Sequence, residues 1–135
     1  MNVKWITFSA RGDSRGLLVP IEAGKDVPFA IKRVYGLLHM QAGVVRGAHA
    51  HRMLRQVIVA LSGACLITLD DGRTKESVAL DNPARGLLLE PMVWHEMADF
   101  SADCVLLVLA AEHYDEGDYI RDRAEFLRLS GGTQP

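Results

Sequence analysis

The stretch QVIVALSGACLITLDDGRTKESVAL, from Gln56 to Leu80, limits the possible folds more than any other part of the chain. Its apolar runs are too short for helices, and they are punctuated by Ser62-Gly63 and Asp71-Gly72. Asp-Gly is among the strongest hairpin signals because glycine takes the positive φ that a tight turn demands. The stretch therefore predicts strand, turn, strand, tight turn, strand. Short runs of the same kind recur at intervals of about ten residues, as LLLEP, VWHEM and CVLLVLAA, with Pro91 interrupting the ladder. We expect an all-β core from about Ile31 to Ala111, arranged as a sandwich or barrel.

The end of the chain departs from this pattern. In DYIRDRAEFLRLSGG, Asp118 offers an N-cap, Tyr119, Ile120, Phe126, Leu127 and Leu129 an apolar face, and Gly131 a stop. These signals predict a short C-terminal helix. A chain of 135 residues has length for one core but hardly two, so we expect a single domain over 1–135. It contains no repeat, low-complexity tract or linker.

Fifteen Lys and Arg against seventeen Asp and Glu give a formal charge of −2, with no basic block. Nucleic acid is an unfavoured partner, because affinity for phosphate backbones depends on clustered cations. The opening segment MNVKWITFSARGDSRG has no apolar signal core, and no stretch approaches the roughly 18 apolar residues that span a bilayer. A cytoplasmic location without a membrane partner is expected. Cys65 in ACLITL and Cys104 in DCVLLVLA suit core packing better than a disulfide or a nucleophile.

The chemistry centres on VVRGAHAHRMLRQVIVALSG, residues Val44 to Gly63. In a strand, residues two apart share a face, so His49 and His51 can address one small molecule. Alone, such a pair suits a solvated strand face at least as well as two metal ligands or an acid and base. The wider spacing is Gly43, five residues, His49-Ala50-His51, four residues, Gln56, six residues, Gly63. It resembles the first motif of the cupin superfamily, in which the last polar position is normally Glu. The second motif is matched in part by Gly86, Pro91, His95 and Asp99, with Val93 where Gly is usual. The resemblance implies a cupin jelly roll.

A metal-binding cupin would use His49, His51, His95 and a carboxylate at position 56. Gln56 supplies only a neutral amide oxygen. We therefore expect no metal and no cofactor, and a histidine-lined barrel whose imidazoles exchange protons near neutrality.

Five ordered strings narrow the chemistry: DSRGLLVPIE, VPFAIKRVYGL, RGAHAHRMLRQV, VWHEMADFSADCVLLVLA and YDEGDYIRDRAEF. Together, from about Trp5 to Leu127, they closely resemble the sugar 3,4-ketoisomerase family. That resemblance implies a metal-free homodimer acting on a dTDP-linked 4-keto-6-deoxyhexose. The keto group moves from C4 to C3 through an enediol or enediolate, within dTDP-deoxyaminosugar biosynthesis for surface polysaccharide. By family match, His51 is the base at C3, and His49 assists proton transfer at the oxygens or at C4. Tyr35 and His95 face the sugar, whereas Arg15, Arg33 and Arg46 are the substrate-binding guanidiniums, suited to a diphosphate. Arg15 together with His95 resembles the members that form the 3-keto-6-deoxygalactose product.

Other positions are read more plainly. Lys32 should point away from Arg33, and Trp94 away from the barrel interior beside His95. His39 and His113 have no partner pattern and are read as surface or satisfied core residues. Alternatives of other classes are the gluco-configured product, a metal-dependent cupin oxygenase using three histidines and Gln56, and a noncatalytic sugar-sensing cupin.

Overall fold

The computed structural model describes residues 1–131, so the last four residues of the expected domain lie outside the described residues. The strands are β1 (Lys4–Thr7), β2 (Arg11–Asp13), β3 (Gly16–Leu18), β4 (Arg33–Leu37), β5 (Arg46–His51) and β6 (Gln56–Ser62). They continue as β7 (Cys65–Asp70), β8 (Lys75–Leu80), β9 (Arg85–Leu89), β10 (Trp94–Ala98), β11 (Val105–Ala110) and β12 (Tyr119–Ile120), followed by helix α1 (Arg123–Ser130). One five-stranded sheet runs β1-β9-β6-β11-β4 and another β12-β5-β10-β7-β8, while β2 and β3 form a separate hairpin. Every strand pairing is antiparallel. This is the expected all-β jelly roll with a short C-terminal helix.

The turns form where glycine permits them. Gly63 ends β6 at φ +65°, and a Cβ there would stand 2.3 Å from Ser101 Oγ and 2.8 Å from Cys104 Cα. Gly72 follows β7 at φ +92°, its N–H donating to Asp70 Oδ1 at 2.7 Å.

Strand β6 is apolar from Val57 to Ala60 because both of its faces are covered there, which removes the polar half of the usual alternation. Ile58 and Ala60 enter the core between the sheets, with Ile67 and Leu69 from β7, Leu87 and Leu89 from β9, and Leu106 and Val108 from β11. Val57 and Val59 turn outward, to a layer of Phe8, Val27, Ile21, Phe29 and Ile31 from the N-terminal segment. On the outside of the other sheet, Phe126 and Leu127 of α1 cover Ala50, Trp94 and Ile120. Trp94 thus faces away from the interior, as alternation beside His95 requires. Cys65 and Cys104 are free and buried, and burial pushes the Cys65 thiol up to about 12.

The strand system is longer than the expected span from Ile31 to Ala111. β1 adds to β9 at one sheet edge and β12 adds to β5 at the other. Both are too short, at four and two residues, for a period to show in sequence.

The helix start is a correction. Asp118 is not the N-cap; Asp122 is, accepting from Ala124 N–H at 3.1 Å. Asp118 is committed elsewhere, because its carboxylate accepts from the backbone N–H groups of Met53 at 2.8 Å and Leu54 at 3.2 Å. Tyr119 and Ile120, expected on the helix, instead pair with His51 and Ala50 of β5. The stop at Gly131 is as expected, in the left-handed region at φ +72°.

Candidate active site

Three strands bring the site together. β5 carries His49 and His51, β10 places His95 opposite His49, and β12 places Tyr119 opposite His51. The β5–β10 register shifts between His95 and Glu96, where Gly47 and Ala48 take φ of +86° and +53°. A Cβ at position 47 would lie 3.0 Å from the His95 carbonyl oxygen, so this bulge depends on glycine. Ring centroids are 4.9 Å apart for His49–His51, 4.6 Å for His49–His95 and 6.2 Å for His51–His95. The Tyr119 ring lies 4.8 Å from His49 and 4.4 Å from His51.

Hydrogen bonds set the ring tautomers. His49 Nδ1 lies 2.8 Å from the Gly47 carbonyl, which only accepts, so Nδ1 carries the proton and Nε2 offers a lone pair. His51 Nδ1 lies 3.2 Å from Asp118 Oδ2, and its buried Nε2 has no hydrogen-bond partner among the described residues. Burial is the largest cause lowering all three imidazoles. His51 is pushed down to about 4, with His49 adding to burial and Asp118 opposing it. His95 is pushed down to about 3 by burial and then by its two histidine neighbours.

This has a direct consequence for folding. Below the ordinary imidazole value of 6.5 the unfolded chain binds protons that the folded chain resists. The stability associated with neutral His51 and His95 is therefore present above pH 6.5 and is lost progressively as pH falls through about 4 and then 3. We expect urea midpoints to drop between pH 7 and pH 4, and a His95→Gln variant to show a shallower fall. An identical slope in the variant would show that His95 is not a source of the acid sensitivity.

A cavity of about 540 Å³ opens beside the rings, lined by Arg33, Tyr35, Arg46, His49, Gln56 and His95 among others. Its size is that of a small-molecule site. Tyr35 accepts from Gln56 Nε2 at 3.2 Å, and burial, the largest cause, raises its hydroxyl above the ordinary value. The phenol therefore stays protonated and its own O–H is free to donate. Gln56, at the position where a metal-binding cupin has its carboxylate, is thus bonded to a phenol. Among the described residues, no group of three or more His, Cys, Asp or Glu side chains is placed to hold a metal ion.

The expected site residues do not all converge. His49, His95, Tyr35, Arg33 and Arg46 line the cavity, with Arg46 exposed at the start of β5. His51 is 4% exposed and sits behind them, bordering a neighbouring cavity of about 140 Å³. Arg33 and Tyr119 line both cavities. Arg33 Nε and Nη2 are buried without hydrogen-bond partners among the described residues, and its guanidinium lies 5.1 Å from the Tyr35 ring. Lys32 points elsewhere, to Glu112 at 2.9 Å. Arg15 lies apart, on the exposed β2–β3 hairpin, bonded through Nη2 to Asp13 at 2.6 Å. His39 and His113 are exposed, as expected; His113 borders the smaller cavity.

Sequence reasoning missed the segment that closes one side. Tyr114, Tyr119 and Arg121 also line the larger cavity. Arg121 donates to Glu116 at 2.7 and 2.9 Å and lies 4.2 Å from the Tyr119 ring, while Tyr114 donates to Glu116. Arg121 and Tyr114 hold the Glu116 carboxyl down at about 2. The available signal was the second aspartate, Asp122, an equally good cap that leaves Tyr119 and Ile120, both strand formers, free to be a strand.

Comparison with known proteins places this arrangement. The family model described as FdtA, WxcM-like, C-terminal, matches residues 1–131. A TDP-4-oxo-6-deoxy-alpha-D-glucose-3,4-oxoisomerase of Aneurinibacillus thermoaerophilus is 52% identical over 126 residues, 93% of this chain and 91% of the relative. The crystal structure of a 3,4-ketoisomerase from Helicobacter canadensis superposes with a TM-score of 0.92 at 44% identity, covering 97% of this chain and 98% of that one. A mutant of the 3,4-ketoisomerase QdtA from Thermoanaerobacterium thermosaccharolyticum, in complex with TDP-4-keto-6-deoxyglucose, matches with a TM-score of 0.93 at 42% identity over 96% of this chain and 94% of that one. The five ordered strings, the jelly roll and these matches over nearly the whole length agree: the chain belongs to the FdtA, WxcM-like family of sugar 3,4-ketoisomerases.

Proposed function

We propose that this chain converts dTDP-4-keto-6-deoxy-D-glucose to dTDP-3-keto-6-deoxy-D-galactose by acid/base chemistry without a metal. The observation that carries the reading is the cluster of three imidazoles within 4.6 to 6.2 Å of one another beside a cavity of small-molecule size. Burial keeps all three neutral at neutral pH, so each can accept a proton.

His51 takes the proton from C3, giving an enediolate across C3 and C4. His49 moves the proton from the C3 oxygen to the C4 oxygen and on return shuttles a proton to C4, while His51 gives up the proton it took to solvent, so that the ketone is left at C3 with no net change in protons. His51 suits the first step because its protonated ring would face the Asp118 carboxylate, whereas His49 is backed by a carbonyl. Tyr119 and Arg33 border both cavities, and it is at the junction they frame that the sugar would meet His51 Nε2. Tyr35 donates to the sugar, and His95 contacts it near C4, which supports the galacto configuration. Arg33 and Arg46 take the diphosphate.

The exposed β2–β3 hairpin, with Leu17 and Leu18 at 56% and 64% exposure, is the surface that a homodimer would cover. Arg15 belongs to the substrate-binding set only through such an assembly, because within one chain it lies apart from the histidines. Two free buried thiols suit a cytoplasmic setting, and among the described residues no helix is long and apolar enough to cross a membrane. The product would feed a transamination step in deoxyaminosugar synthesis for surface polysaccharide.

Incubation with dTDP-4-keto-6-deoxyglucose followed by product NMR tests the reading. A ketone at C3 with a small H4–H5 coupling is expected. A large coupling would show the gluco product and overturn the galacto assignment, and unchanged substrate would overturn the isomerase itself.

A further inference from the structure

We propose that Asp118 is a positioning residue for His51, holding the ring proton on Nδ1 so that Nε2 presents the lone pair that removes the substrate proton. The inference rests on the isomerase reading above and adds to it a carboxylate from outside the histidine motif.

Asp118 is held from several sides. Oδ1 accepts from Met53 N–H at 2.8 Å and Oδ2 from Leu54 N–H at 3.2 Å. Its backbone carbonyl accepts from Arg52 N–H at 2.9 Å. These bonds tie the start of β12 to the loop that follows His51, across more than sixty residues of sequence. The carboxylate is therefore not free to rotate away from Oδ2's remaining neighbour, His51 Nδ1 at 3.2 Å. A carboxylate only accepts, so the ring must donate there, and Nε2 is left bare. Nε2 is also buried and unpartnered among the described residues, which is costly unless a ligand group meets it.

The same contact acts during the reaction. When His51 gains a proton, the imidazolium forms beside a fixed negative group that is itself only 14% exposed. His49 has no hydrogen-bonded carboxylate among the described residues: its Nδ1 meets the Gly47 carbonyl, and Glu116, bonded to Arg121 and Tyr114, acts on it only as a nearby charge. The asymmetry distinguishes two histidines that share a strand face.

The competing role for Asp118 is a staple for the loop at Arg52 to Leu54 and nothing more. Asp118→Asn separates the two, since the amide oxygen in the place of Oδ1 still accepts the shorter loop bond from Met53 N–H, while the NH₂ in the place of Oδ2 gives up the Leu54 bond and turns His51 Nδ1 into an acceptor. We expect kcat to fall about 10²- to 10⁴-fold, the range that general acid/base assistance covers, with KM changed less than about threefold. In ¹⁵N spectra of histidine-labelled protein, the His51 proton should move from Nδ1 to Nε2. A folded variant with kcat within about threefold of the parent, or with its tautomer unchanged, would overturn the proposal. If the variant does not fold, the unsubstituted protein decides: a His51 protonated on Nε2 defeats the proposal, and one protonated on Nδ1 supports it. Absence of isomerisation by the unsubstituted chain strikes instead at the functional reading, and the ring-nitrogen signals still report what Asp118 does.

Discussion

Replacing His51 with asparagine is expected to lower kcat by about 10³-fold or more while the protein stays folded and still binds its substrate. The size follows from removing a general base, worth about 10²- to 10⁴-fold. Folding should survive because the asparagine NH₂ can donate to Asp118 Oδ2 in place of Nδ1–H, and because a buried imidazole pushed down to about 4 is no longer present to take up protons on unfolding. Binding should survive because the residues that line the larger cavity, Arg33, Arg46 and Tyr35 among them, are untouched. The measurements are turnover by product NMR, dissociation constants for the keto sugar, and exchange of the C3 proton with D₂O, which should stop. The matching His49→Asn variant gives the comparison its force, since His49 lines the cavity and His51 sits behind it. Continued C3 exchange in His51→Asn, with loss in His49→Asn, would exchange the roles of the two rings.

How much of this was readable in the sequence depended on how local the signal was. The hairpins at Gly63 and Gly72 were readable because a positive φ leaves a residue-specific mark. The histidine pair was readable because strand alternation forces residues two apart onto one face. His95 could be placed opposite His49 only through the resemblance, since cross-strand register depends on a bulge at Gly47 that alternation does not encode. Asp118 was misassigned for a different reason. An aspartate immediately before an apolar run that can be read as helical is a cap unless another cap follows, and Asp122 follows. What decided between them was a set of backbone N–H groups at Met53 and Leu54, remote in sequence and invisible to any local pattern. Arg15 shows the same limit from the other side, because its string was informative about the family and silent about which cavity its side chain reaches.

Arg33→Met is expected to move binding and stability in opposite directions. In the free protein Arg33 Nε and Nη2 are buried without hydrogen-bond partners among the described residues, and the guanidinium's neighbours are the Tyr35 and Tyr114 rings at 5.1 and 5.6 Å. Aromatic faces return only part of what desolvating a cation costs. A length-matched apolar side chain removes that cost, so the variant should be more stable, by about 1–3 kcal/mol. On the proposed reading the same two donors hold the diphosphate, and each bond to a charged group contributes about 1.5–3 kcal/mol. Affinity for TDP should therefore fall about 10²- to 10⁴-fold. His51 supplies an internal control, because the Arg33 charge is one of the causes that lower it, so its pKa should rise in the variant. Calorimetric titration with TDP and thermal melts check the two halves separately. A variant that loses stability would show that the tyrosine faces satisfy the guanidinium without a ligand. Affinity within about threefold of the parent would instead remove Arg33 from the proposed diphosphate site and leave Arg46, exposed at the start of β5, and Arg121, paired with Glu116, as the cavity arginines to carry it.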